Sequence, residues 1–140
     1  MKNFFLIVLA ILVALQFIPS EIDNPKTDKS LEIKVSPEIM SIFKRSCYDC
    51  HSNEVVVPWY ASVAPASFFI KGHVDLGRKW LNFSEWENYT DKQKDDKLKG
   101  IFRTVYAAMP LPSYISLHEE AKLTKDEIKL IRDCTGKAPF

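Results

Sequence analysis

Cys47-Tyr48-Asp49-Cys50-His51 is the stretch whose reading decides the fold. Two cysteines three apart, with a histidine directly after the second, read as a c-type haem attachment site. The chemistry explains the spacing. Each thiol can add across one vinyl group of the porphyrin, giving two thioether bonds. His51 then sits beneath the iron as proximal axial ligand. A bare C-x-x-C has several meanings, and the added histidine narrows them sharply.

The cysteine count agrees. There are three, Cys47, Cys50 and Cys134. An odd number suits a haem-attachment pair with one left over better than a disulfide framework. Cys134 reads as a small apolar residue on a helix face. The 140 residues suffice for one ordinary domain. Apolar residues at 46% and charged residues at 26% make a globular composition. The formal net charge is +1, and Lys2 is the single charge of residues 1–20, so the rest of the chain is close to neutral. Nothing argues for nucleic acid or an acidic substrate.

Outward from the motif, Ser36-Pro37-Glu38 is a helix start: serine at the N-cap, proline at the first helical position, an acid in the first turn. Ile39, Ile42, Phe43 and Cys47 give that helix one apolar face. It is expected to deliver the motif at its C-terminal end. Before it, residues 21–35 are polar and read as a linker, a tether between a membrane and the domain. Before that, Lys2 precedes an apolar run from Phe4 to Ile18 broken only by Gln16, the layout of a secretory signal. Fifteen helical residues span about 22 Å, short of the roughly 30 Å bilayer core. Length favours a signal peptide, whereas the lack of a clear A-x-A cleavage pattern favours an uncleaved anchor. Residues 1–20 are therefore read as signal peptide or membrane anchor, and residues 36–136 as the exported domain.

After His51, Val55-Val56-Val57 is extended and Pro58-Trp59-Tyr60 makes a turn or short helical piece. Pro65 opens a helix to about Leu81, with Phe69, His73 and Leu76 on one face, while Gly72 and Gly77 permit close packing. Ser84-Glu85-Trp86-Glu87, Thr90-Asp91-Lys92-Gln93 and Thr124-Lys125-Asp126-Glu127 are capping-box patterns. Leu98, Ile101, Phe102, Val105 and Met109 form the clearest amphipathic stripe. Met109-Pro110-Leu111-Pro112 ends it. Ile128, Ile131 and Cys134 are expected on the buried side of the last helix, with Gly136 as its C′ residue. The fold class is all-α: a small helical domain wrapped around one covalently attached haem, which supplies part of the core.

The chain resembles the class I cytochrome c fold: an N-terminal helix ending in C-x-x-C-H, middle helices, a Met-Pro, then a C-terminal helix. More closely, it is similar to the bacterial haem-binding domain family of short, membrane-targeted, cytochrome c-like proteins. The residues that carry this are Ser46 to Ser52, Pro58-Trp59-Tyr60, Gly77-Arg78 with Leu81 to Trp86, and Met109-Pro110-Leu111 with Tyr114 and His118. The resemblance covers roughly residues 36–131. It implies a haem cofactor more firmly than a biological role.

Met109 is the expected sixth ligand. Its thioether is a soft donor, and the resemblance puts a Met-Pro at this place; Pro110 stops the helix so that the sulfur is presented from a loop. The bland alternative is a core methionine. His73 and His118 are rival ligands that would give bis-histidine coordination. Arg78 is weighed as a propionate partner against an ordinary solvated arginine. Trp59, Tyr60, Trp80 and Tyr114 are candidate cavity walls, and Trp86 reads as ordinary core.

The leading functional expectation is an exported mono-haem c-type cytochrome in the periplasm, an electron carrier and not an enzyme. Its partners would be redox proteins of a respiratory or periplasmic chain, and residues 4–18 would hold it at the inner membrane if uncut. The competing expectations are a haem-based sensor or accessory haem module with a displaceable sixth ligand, and a thiol-redox or zinc protein using Cys47 and Cys50.

Overall fold

The structure, a computed structural model, describes residues 1–137. Among these residues it is all-helical, with seven α-helices, four short 3-10 segments and no strand.

The helix that carries the motif forms as its sequence dictates. Ser36 Oγ accepts from the Ile39 N–H, Pro37 takes the first helical position, and α2 runs Pro37–Ser46. Ile39, Ile42 and Phe43 are buried. The helix does not run unbroken into the motif. At Cys47 the backbone turns to φ −130°, and a separate short helix, α3 (Tyr48–His51), follows. Hydrogen bonding is carried through the break. The Cys47 N–H donates to Phe43 O at 2.8 Å, and the His51 N–H to Cys47 O at 3.0 Å.

The next long helix, α4, spans Ala66–Trp80. Phe69 is 69% exposed, so the expected Phe69–His73–Leu76 face is not its packing face. The helix instead turns Val74 and Gly77 inward. At Gly77 a Cβ would stand 2.3 Å from the Cys50 carbonyl oxygen, so only glycine lets α4 come this close to α3. Past α4, the 3-10 segment Phe83–Asn88 is capped by Asn82, whose Oδ1 accepts from the Ser84 N–H, and not by Ser84 as the S-x-x-E pattern suggested. Ser84 Oγ is taken by the Asn53 N–H.

The other two capping boxes form. Thr90 with Gln93 opens α5 (Asp91–Ala107), and Thr124 with Glu127 opens α7 (Lys125–Cys134). Between them lies α6 (Pro112–Ile115). Gly136, at φ 62°, follows the last helix as its C′ residue. Cys134 is exposed, a correction to its expected burial. The buried stripe of α7 runs Ile128, Ile131, Thr135, and that spacing turns Cys134 away.

Phe83 sits at the centre of the core, 1% exposed. It stacks on Phe43 at 4.6 Å between centroids and on Tyr48 at 5.6 Å. Burying each such ring stabilises the fold by about 1.5–3 kcal/mol. Trp86 belongs to this core, as expected.

Residues 21–35 are not a free tether. Ile33 is buried and its N–H donates to Phe83 O at 2.9 Å. Asn24 exchanges two hydrogen bonds of 2.9 Å with the backbone of Val55. Lys29 pairs with Glu54, and Thr27 Oγ1 accepts from Asn53 Nδ2 at 2.6 Å. The polar composition that suggested a linker reflects groups that bond to the domain. Ahead of this segment, α1 spans Lys2–Leu15 with no buried residue. Among the described residues, no helix is long and apolar enough to cross a membrane.

Candidate functional site

A cavity of about 500 Å3 opens between α2, α3, α4, α5, α6 and α7. That volume lies within the roughly 300–1,000 Å3 typical of cofactor sites. Its wall is mainly apolar: Phe43, Leu76, Trp80, Leu81, Phe83, Ile101, Val105, Leu111, Leu123 and Ile131. Cys47, Cys50 and His51 line one part of it, and Met109 with Pro110 another. Residues far apart in sequence, which the motif reading paired only by chemistry, thus share one cavity.

His51 is held in one tautomer. Its Nδ1 lies 3.0 Å from Leu81 O and 3.1 Å from Gly77 O. Both partners are carbonyls, so Nδ1 carries the proton and donates. Nε2 is left with its lone pair, the arrangement that second-sphere contacts give to metal-binding histidines. Burial pushes the His51 pKa down despite these two bonds, which favours the neutral ring a metal requires. The α4 C-terminus therefore does two things. Gly77 lets α3 approach, and its carbonyl orients the ring that α3 carries.

Burial pushes the Cys47 thiol up to about 12 and the Cys50 thiol to about 11. Thiols this weakly acidic are poor thiolates, which counts against thiol–disulfide redox chemistry at neutral pH. No group of three or more His, Cys, Asp or Glu side chains suited to a metal ion occurs among the described residues. A zinc site built on Cys47, Cys50 and His51 lacks its fourth ligand.

Met109 follows α5, its N–H donating to Thr104 O at 2.8 Å. It is 38% exposed and lines the cavity, so it is not an ordinary core methionine. His73 also lines the cavity. His118 does not, and both its ring nitrogens are engaged: Nδ1 donates to Glu120 Oε1 at 3.1 Å, and Nε2 accepts from the Tyr60 hydroxyl at 2.5 Å. Of the three candidate ligands, Met109 and His73 line the cavity and His118 does not.

Three expected site residues lie elsewhere. Arg78 points away from the cavity. Its Nε donates to Ser52 O at 2.8 Å, and its terminal nitrogens reach Asn24 and Asp23. It is a strut between α4, the turn after the motif and residues 23–24, not a cavity residue. Trp59 is 81% exposed and does not line the cavity. Tyr60 stands behind the wall, bonded to His118. Trp80 and Tyr114 do line it, as expected.

Sequence reasoning missed the Asp49–Tyr114 bond, 2.5 Å long, between the motif and α6. It also missed the polar cluster of Asn53, Asn82 and Ser84, where Asn82 Nδ2 donates to Asn53 Oδ1 at 2.8 Å. Each joins residues about 30 or more apart in sequence, and no local pattern marks such pairs.

The donor set fits a porphyrin: two thiols, an imidazole presenting Nε2 and a thioether around an apolar hollow. The molecule is thus a helical haem-binding protein. The chain belongs to the haem-binding domain family, whose model matches residues 10–136. No curated protein and no solved structure matches it. The matched range takes in residues 21–35, in keeping with their packing on the domain.

Proposed function

We propose that the chain is an exported mono-haem c-type cytochrome that passes single electrons between redox proteins of the periplasm. The single observation that carries this reading is the orientation of His51: Nδ1–H is spent on two backbone carbonyls, and Nε2 is left for the cavity that Cys47, Cys50 and Met109 share. Bound haem supplies an iron that cycles between ferrous and ferric.

The chain's own residues supply the rest. Cys47 Sγ–H and Cys50 Sγ–H are the groups that would hold the porphyrin, each thiol adding its sulfur and its hydrogen across one vinyl group with no net oxidation. His51 Nε2 and Met109 Sδ are the donors that would hold the iron. With both donors engaged, little structure would change between oxidation states, as suits a carrier and not an enzyme, and a thioether would raise the potential relative to a second histidine. Phe43, Phe83, Ile101 and Ile131 keep water from the site. Trp80 and Leu76, at 70% and 53% exposure, border its mouth, where a partner would dock through a small interface. Residues 4–18 would direct export and, if retained, hold the protein at the inner membrane.

The test is protein matured in a host with haem-ligation machinery. The expected result is a haem stain that survives denaturing electrophoresis, with a near-infrared thioether-to-iron band in the oxidised protein that Met109→Ala abolishes. Colourless protein of bare polypeptide mass would refute the reading. Fast and complete carbon monoxide binding by the reduced wild type would favour a sensor or accessory module.

A further inference from the structure

Tyr114 stands on α6, five residues past Met109, and its ring lines the same cavity. Its hydroxyl donates to Asp49 Oδ2 at 2.5 Å. Asp49 is the residue just before Cys50 in the attachment motif. Its other oxygen, Oδ1, accepts from the Val56 N–H at 3.0 Å, so the carboxylate is anchored on its own side. Burial, then the bond to Asp49, push the Tyr114 phenol up, which keeps it an O–H donor. Its ring lies against His118, 4.4 Å between centroids and 15° from parallel. His118 is in turn held by Tyr60 and Glu120. Tyr114 is therefore fixed at its hydroxyl by the motif and on its face by an immobilised ring.

The segment this serves has few other fastenings. Met109 to Leu111 leave the end of α5 through one backbone bond to Thr104, and α6 is a single turn whose backbone bonds are internal. With so few backbone bonds, the position of Met109 depends on the side-chain contacts that hold this segment. A short hydrogen bond to a carboxylate is of the strong, directional kind.

We propose that Tyr114 is a positioning residue for the sixth ligand: its bond to Asp49 latches the Met109-bearing loop to the attachment motif, and so holds the Met109 thioether at the iron. This rests on the reading of Met109 as ligand. Removing the hydroxyl leaves the Tyr114 ring, its stacking on His118 and the Met109 side chain intact, but lowers the fraction of molecules in which the thioether is bound. A competing small ligand then finds the position open more often.

The experiment uses four holoproteins: wild type, Met109→Ala, Tyr114→Phe and Tyr89→Phe. The last removes a hydroxyl that accepts the Asn82 N–H at 2.9 Å, at a residue that does not line the cavity. Carbon monoxide association with the reduced proteins and the near-infrared band of the oxidised ones are measured. Retention of the band in Met109→Ala would sink the ligand assignment, and this inference with it. With that band abolished, Tyr114→Phe decides. It is expected to keep covalent haem and bind carbon monoxide about tenfold faster than wild type, the scale of one hydrogen bond to a charged group, while Tyr89→Phe matches wild type. A wild-type rate in Tyr114→Phe, or equal acceleration in Tyr89→Phe, overturns the proposal. Asp49→Asn, which keeps an oxygen acceptor without the charge, is a second route to the same answer. It should fall between wild type and Tyr114→Phe, and a wild-type rate there also counts against the latch.

Discussion

On the Cys47–His51 side of the cavity, position is fixed by backbone and burial; on the Met109–His118 side, by a few side-chain hydrogen bonds. The first side has Gly77 against the Cys50 carbonyl, two carbonyls on His51 Nδ1, and Phe83 stacked between Phe43 and Tyr48. The second has a one-turn helix, the Tyr114–Asp49 bond and the Tyr60–His118 bond. The difference teaches where tolerance to substitution should lie. Packing against backbone leaves no room for adjustment, whereas a hydrogen-bonded loop can move and be re-ligated.

The largest test removes the two thiols proposed to hold the haem. Cys47→Ala with Cys50→Ala should abolish the haem stain on a denaturing gel entirely, and persistence of the stain would break the assignment of that wall. Next is Gly77→Ala. The new methyl meets Cys50 O, a backbone atom that cannot swing aside, so a loss of about 3 kcal/mol is expected by chemical denaturation, the upper end of the range for overpacking. A loss under about 1 kcal/mol would show that α3 and α4 are less tightly apposed than the geometry has them. Arg78→Ala should cost about 1–2 kcal/mol through the lost bonds to Ser52 O and Asn24. It should leave the haem spectrum unchanged; a shifted spectrum would restore a role at the propionates.

The smallest effect is far from both walls, and it calibrates them. Glu127 accepts from the Thr124 N–H and pairs with Arg45 at 2.8 Å, and its pKa lies below the ordinary 4.5, chiefly through the backbone bond at Thr124. A depressed carboxyl pKa contributes stability above the unfolded value and loses it as pH falls through the folded one. Wild type should therefore exceed Glu127→Gln by a few tenths of a kcal/mol at neutral pH. The gap should close as the pH drops below 4.5. A gap that widens on acidification would reverse the sign of this argument.

Much of the fold is legible in the sequence because its signals are local. Ser36-Pro37, Thr90–Gln93, Thr124–Glu127 and Gly136 each act within four residues of themselves, and each forms as its pattern predicts. The signal for haem binding is local too: Cys47 to His51, five consecutive residues, carry it without help from a distant partner. Sequence reading fails where a residue's partner is far along the chain. Arg78 has the right charge for a propionate, but Ser52 and Asn24 claim it. Ser84 has the right spacing for a cap, but Asn82 caps first because its side chain reaches the Ser84 N–H directly. Trp59 and Tyr60 carry the right chemistry for a cavity wall and stand outside it. Residues 21–35 depart from expectation for the same reason. Their low hydrophobicity suggests freedom, while Asn24, Thr27 and Lys29 are matched one by one to groups on Val55, Asn53 and Glu54.

That matched strap sets a practical limit on trimming the gene. Starting the chain at Ser36, where the first core helix begins, would strip Ile33 from the hydrophobic centre, leave the Phe83 carbonyl wanting a donor and release the guanidinium of Arg78 from Asn24. A recombinant piece meant to mature into pigmented, soluble material should open before Asp23.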